Sequence, residues 1–140
     1  MPANWVDIGV NASSMEGYLT QPEGEGSRPA VVVIQEIWGV NSHIQSVVDR
    51  LPSLGYVGLA PALFHREGPM TTGLHEEMDT AIARMRNSTD ANILADVNAA
   101  VDFLKGQSSS RATRSVSSGS AMGAGYPIWQ PAISLTLLRR

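Results

Sequence analysis

The first twenty residues alternate between apolar and polar positions. "WVDIGV" and "MEGYLT" each place an apolar side chain at every second position, which is typical of half-buried strands. "NASS" between them supplies residues that favour turns. The pattern therefore predicts a β-hairpin at the start of the chain.

A different pattern begins at residue 30. "AVVVIQ", residues 30–35, is an unbroken β-branched run of the kind found in strands buried on both faces of a parallel sheet. Apolar positions then recur at helical spacing over 44–54, with Ser42 as the predicted cap and Gly55 as the predicted end. Pro52 is expected to disturb the last turn of this helix. Because "YVGLAP" reads as a second apolar strand, the order strand, helix, strand predicts a parallel crossover.

Two further helices are predicted over residues 74–86 and 89–105. The second contains an apolar stripe that we expect to face the core, made of Leu94, Val97, Ala100, Val101 and Leu104. Alternating strands and helices predict an α/β fold whose parallel strands end at a common edge, where ligands bind.

Composition excludes several classes of function. The chain has 140 residues, enough for one domain, with 43% hydrophobic residues, a net charge of −3 and no basic run, so nucleic acid is not an expected partner. Neither a signal-peptide pattern nor an apolar run long enough to span a membrane is evident, and we expect a cytoplasmic protein.

The chain has no cysteine, and His43, His75 and Glu76 lack the spacing of a metal site. Oligomeric state is left open.

Residues 31–69, "VVVIQEIWGVNSHIQSVVDRLPSLGYVGLAPALFHREGP", closely resemble the dienelactone hydrolases (carboxymethylenebutenolidases), a branch of the α/β-hydrolases. The resemblance rests on Q-E-I-[FW]-G-[VL]-N followed by G-Y-x-x-x-x-P-x-L-[FY], and extends more weakly over residues 1–106. It implies hydrolysis of a small enol lactone or ester, without a cofactor, by a cysteine nucleophile with histidine and aspartate.

The resemblance also assigns roles to three consecutive residues. Glu36 corresponds to the family glutamate that contacts the cysteine, and a carboxylate there opposes loss of the thiol proton until it moves away. Ile37 corresponds to the residue whose backbone N–H forms part of the oxyanion hole. Trp38 corresponds to an aromatic residue that lines the substrate cleft, with core packing as the alternative.

Residues 107–140 depart from this pattern. They are rich in serine at first and then lack any period, and all three histidines precede the position at which the family's G-[FY]-C-x-G-G elbow is expected. Read one frame over from Arg114, with serine taken as TCN, the codons permit I-G-V-V-G-F-C-x-G-G-R-V. The hypothesis is a frameshift between about residues 105 and 114, leaving a non-homologous, disordered or misfolded tail, an incomplete α/β-hydrolase fold and an inactive product.

Three alternatives stay open at this point. Ser120 could act in a small serine esterase, although its glycines do not stand at the G-x-S-x-G positions. The chain could instead be a non-catalytic binding domain around Glu36 and Trp38. His65 and Arg66 could border a pocket or orient an acidic substrate, but solvated loop residues are the favoured interpretation.

Overall fold

The computed structural model describes residues 3–24, 26, 28–68, 72, 77–107 and 110–117, the last of these for the backbone alone. Five strands form one mixed sheet in the order β1-β2-β4-β3-β5. The strands are β1 (Ala3–Val10), β2 (Ser13–Thr20), β3 (Arg28–Ile34), β4 (Val57–Pro61) and β5 (Ser110–Ser117). The helices are α1 (Ser42–Asp49), α2 (Met78–Asn87) and α3 (Asp90–Lys105). The predicted α/β class is confirmed.

The predicted hairpin is the antiparallel pair β1 and β2, and β2 continues antiparallel against β4. Parallel pairing joins β3 to β4 and, on the other side, β3 to β5. The crossover predicted from the strand, helix, strand order is thus the β3-α1-β4 unit. It places the carboxyl ends of β3 and β4 side by side.

Helix α1 begins one residue earlier than its predicted cap implies. Asn41, not Ser42, caps the helix, and its Oδ1 accepts a hydrogen bond of 3.1 Å from the Ile44 N–H. Asparagine and serine are about equally good caps, so the pattern alone did not separate them. The effect of Pro52 is as predicted, because the α-helix ends at Asp49 and a 3₁₀ turn, Pro52–Leu54, follows.

The core lies on both faces of the sheet. On one face α1 packs Ile44 and Val48 against Tyr18, Val31, Val33 and Ala60. On the other face α3 packs Ala100 and Leu104 against residues from four strands, among them Ile8, Met15, Val32 and Leu59. Successive residues of the apolar run in β3 therefore face opposite sides of the sheet, and a helix covers each side.

The core stripe predicted for α3 is wrong at one position. Leu94 is 61% exposed, whereas Ala100 and Leu104 are fully buried. Helical spacing places Ile93 and Asp96 on the sheet-facing side instead, and this rotates Leu94 outward.

Strand β5 lies within residues 107–140, for which the sequence predicted a disordered or misfolded tail. Its backbone pairs with β3 from Ala30 opposite Thr113 to Ile34 opposite Ser117. The predicted disordered or misfolded tail falls, beyond this strand, outside the described residues. Within the described part of the chain, no helix is both long and apolar enough to cross a bilayer.

Candidate active site

A tight turn follows β3 and carries the predicted site residues. The Gly39 N–H donates to the Glu36 carbonyl over 3.1 Å and closes the segment Glu36–Gly39. Gly39 has φ of +82°, in the left-handed region that a residue with a Cβ rarely adopts. The glycine of the Q-E-I-W-G motif is thus needed for the chain to turn back at this strand end.

Gln35 links this turn to the segment that follows β4. Its side chain is buried, with 6% of the residue exposed. Oε1 accepts a hydrogen bond of 2.8 Å from the Leu63 N–H, and Nε2 donates to the Glu36 carbonyl at 3.3 Å. The two neighbouring strand ends are therefore joined by one side-chain amide.

Glu36 and Ile37 are half-buried and line a small cavity at the carboxyl ends of β3 and β4. The cavity measures about 20 Å³, which is room for roughly one water molecule. Its other lining residues come from the strand ends and from α2 and α3: Gln35, Leu63, Phe64, Met85, Ser88 and Ile93. Glu36 is the one ionisable residue among these lining residues, and most of the others are apolar.

Of the three predicted site residues, Glu36 and Ile37 line the cavity and Trp38 does not. Trp38 is only 5% exposed and is not among the residues that line this cavity. Its location is consistent with the core-packing alternative, and its role toward a substrate stays a prediction.

A cluster of ionisable side chains joins the segment after β4 to α3, and it was not predicted from the sequence. The Arg66 guanidinium forms a two-pronged ion pair with Asp96, with Nη1–Oδ2 and Nη2–Oδ1 distances of 2.8 and 2.9 Å. His65 Nε2 lies 3.1 Å from Asp96 Oδ1 without making a hydrogen bond to any described residue. The directed bonds of the cluster are therefore those of Arg66.

Burial distinguishes the members of this cluster. The Asp96 side chain is 0% exposed, that of His65 2% and that of Arg66 36%. The expectation of solvated loop residues is wrong for His65. The available signal was Asp96 itself, a carboxylate on the apolar side of α3 one turn from Ile93, since a buried aspartate requires a charged partner.

The remaining candidates do not join this site. His43 is exposed on α1, while His75, Glu76 and Ser120 lie outside the described residues. Among the residues that the structure describes, no group of three or more His, Cys, Asp or Glu side chains could hold a metal ion.

Comparison with known proteins agrees with the motif and the strand order. The model of the Dienelactone hydrolase family matches residues 15–131. The chain belongs to the dienelactone hydrolase family. The matched range extends past residue 106, the predicted end of the family-like part. The shift of reading frame in residues 107–140 stays a prediction.

Curated relatives of this dienelactone hydrolase family chain are longer than it is. A protein of Synechocystis named "Putative carboxymethylenebutenolidase" is 42% identical over 89 residues, covering 62% of this chain and 36% of the relative. A Bradyrhizobium protein named "Probable 2-oxo-3-(5-oxofuran-2-ylidene)propanoate lactonase" is 33% identical over 125 residues, covering 89% and 49%. The chain thus spans half or less of the length of these relatives.

Solved structures confirm the α/β-hydrolase architecture. The structure of a Klebsiella pneumoniae protein named "Putative Dienelactone Hydrolase" superposes with a TM-score of 0.71 at 26% identity, covering 83% of this chain and 49% of that one. A dienelactone hydrolase-like promiscuous phosphotriesterase from metagenomic libraries gives 0.69 at 25% identity, covering 83% and 48%. The five strands therefore correspond to part of this fold.

Proposed function

We propose that the turn after β3 is one side of an ester or lactone hydrolase site, and that these 140 residues hold that side alone. The observation that carries the proposal is the pairing of Glu36 and Ile37 on one cavity at the carboxyl ends of β3 and β4. Family membership supplies the reaction class, hydrolysis of a small ester or lactone. The name of the Bradyrhizobium relative makes an enol lactone the proposed substrate class.

Three residues of the turn have a proposed part in this reaction. The Ile37 N–H would stabilise the negative oxygen that forms when a nucleophile adds to the substrate carbonyl. Glu36 would hold a neighbouring thiol protonated until its carboxylate moves away. Trp38 is proposed to border the cleft that the nucleophile-bearing part completes.

The proposal assigns no hydrolysis to these 140 residues by themselves. They include no cysteine, and their three histidines all lie before residue 76. A nucleophile and its general base therefore cannot be taken over from the family pattern onto this sequence. We propose that a shift of reading frame near residues 105–114 accounts for the difference.

Sequencing of the coding DNA from about codon 100 to beyond codon 140 tests the frame. The expected result is a second frame that reads G-F-C-x-G-G, with aspartate and histidine further downstream. If no frame contains this elbow, residues 107–140 are genuine sequence and Glu36 requires another explanation.

An enzymatic assay tests the inactivity independently. We expect the purified chain to hydrolyse an enol lactone no faster than its Glu36→Gln variant, with Glu23→Gln, an exposed glutamate in the loop before β3, as the control. If the purified chain shows turnover, and Glu36→Gln lowers it tenfold while Glu23→Gln leaves it unchanged, then the 140-residue chain is itself an active hydrolase. Labelling of Ser120 by a fluorophosphonate would instead support the serine esterase.

A further inference from the structure

We propose that Gln35 is a positioning residue that sets the direction of the Ile37 N–H. The inference rests on the proposed role of Ile37 in an oxyanion hole, and it concerns how the chain orients that donor before any substrate binds. It draws on the hydrogen bonds around one peptide unit, between Glu36 and Ile37.

The orientation of the Gln35 amide follows from its partners. A backbone N–H can only donate, so the amide atom 2.8 Å from the Leu63 nitrogen is the oxygen. The amide nitrogen then faces the Glu36 carbonyl, which can only accept. Both ends of this buried side chain are thereby used, as a buried amide requires.

The Glu36 carbonyl and the Ile37 N–H belong to the same planar peptide. In a trans peptide the C=O and N–H bonds point in opposite directions, so fixing one fixes the other. Two donors fix the carbonyl: the Gly39 N–H at 3.1 Å and Gln35 Nε2 at 3.3 Å. The Ile37 N–H is consequently directed away from both of these donors.

That N–H has no competing partner within the described part of the chain. None of the described residues accepts a hydrogen bond from it, and Ile37 is half-buried at the cavity. An N–H group of a half-buried residue that has no acceptor among the described residues is available to a developing oxyanion. Donors of this kind act because they are oriented beforehand, which is the effect we assign to Gln35.

Two substitutions separate the two hydrogen bonds of Gln35. Gln35→Glu keeps an acceptor for the Leu63 N–H but turns the donor toward Glu36 into a second acceptor. Gln35→Met is similar in length and removes both. Gln45→Glu is the matched control, because Gln45 Nε2 also donates to a backbone carbonyl, that of Val40, at 3.1 Å.

Residual dipolar couplings of the ¹⁵N-labelled chain report the direction of each N–H bond. We expect the Ile37 coupling to change in Gln35→Glu and Gln35→Met by more than the couplings of Val31 to Val33, and to stay unchanged in Gln45→Glu. The Leu63 amide shift should move strongly only in Gln35→Met. An unchanged Ile37 coupling in folded Gln35→Glu would refute the positioning role, whereas a general loss of stability would move all amides together.

The unsubstituted chain provides a second test that needs no variant to fold. The Gln35 side-chain amide and the Gly39 N–H point at the same oxygen, so their protons should show a nuclear Overhauser effect. Its absence would overturn the proposal. Neither measurement requires hydrolysis, so a chain that proves active, or a locus without the cysteine elbow, leaves this inference to stand or fall separately.

Discussion

The two faces of the sheet hold their helices by different means. Against one face, α1 and the turn after it lie so close that a Cβ on Gly58 would come within 2.8 Å of Leu51 Cδ1 and 2.9 Å of Val48 Cγ1. Against the other face, α3 carries a fully buried carboxylate, Asp96, which binds Arg66 beyond the end of β4. Close steric fit is thus prominent on the α1 face, whereas α3 adds a buried ion pair to the apolar packing of Ala100 and Leu104.

The largest expected effect comes from breaking the charged contact of α3. Asp96→Ala should lower the free energy of unfolding by about 3 kcal/mol, because it leaves the Arg66 guanidinium without its ion-pair partner at a buried site. The loss is placed at the low end for buried pairs since the Arg66 side chain is 36% exposed and can regain water. Urea unfolding measures it.

Asp102→Ala is the control for this substitution, since Asp102 lies on the exposed side of the same helix. It should change the free energy of unfolding by less than about 0.5 kcal/mol. Equal losses for Asp96→Ala and Asp102→Ala would show that the buried cluster does not hold α3.

A smaller effect is expected where α1 meets the sheet. Gly58→Ala should lower the free energy of unfolding by about 1–3 kcal/mol, because the added methyl group must displace the side chains of Val48 and Leu51 and the Thr20 hydroxyl. That hydroxyl donates to the Val48 carbonyl at 3.0 Å. Thermal unfolding gives the difference. At Gly9 of β1 a Cβ would meet nothing within 4 Å, so Gly9→Ala should be close to neutral, and a similar loss at both sites would refute the steric account.

The smallest effect concerns a pH-dependent contact on the α1 face. Burial, followed by the hydrogen bond to Asp49 and the charge of Asp49, raises the pKa of Tyr18 from 10.0 to about 12. The 2.6 Å bond from the Tyr18 hydroxyl to Asp49 Oδ1 requires the protonated phenol. Its contribution is therefore present below pH 10 and lost as the pH rises through about 12.

Tyr18→Phe should remove this pH dependence and cost about 1 kcal/mol at neutral pH. Ultraviolet titration should show one phenol fewer ionising at the high end of the range, whereas Tyr56→Phe, which changes a partly exposed ring, should leave that step in place. A Tyr18 midpoint at the ordinary value for tyrosine would contradict the account.

The sequence predicted what depends on periodicity and missed what depends on long-range pairing. Residues 30–35 and the "YVGLAP" strand were evident from apolar runs, and Q-E-I-W-G located the turn that carries Glu36. The contact between Asp96 and Arg66 spans 30 positions and has no local signal beyond an aspartate in an apolar stripe. The hydrogen bonds of Gln35 were likewise invisible, since Leu63 lies 28 residues away.

The cavity at the carboxyl ends of β3 and β4 is much smaller than a usual ligand pocket. Ligand pockets of roughly 300–1,000 Å³ are usual for small molecules, whereas about 20 Å³ is enclosed at these strand ends. On the proposed function, this turn would set the angle of an N–H and of a carboxylate, while a cavity of this size is too small to hold a lactone ring. On the same proposal, we therefore expect the choice of substrate to depend on the surfaces that complete the site.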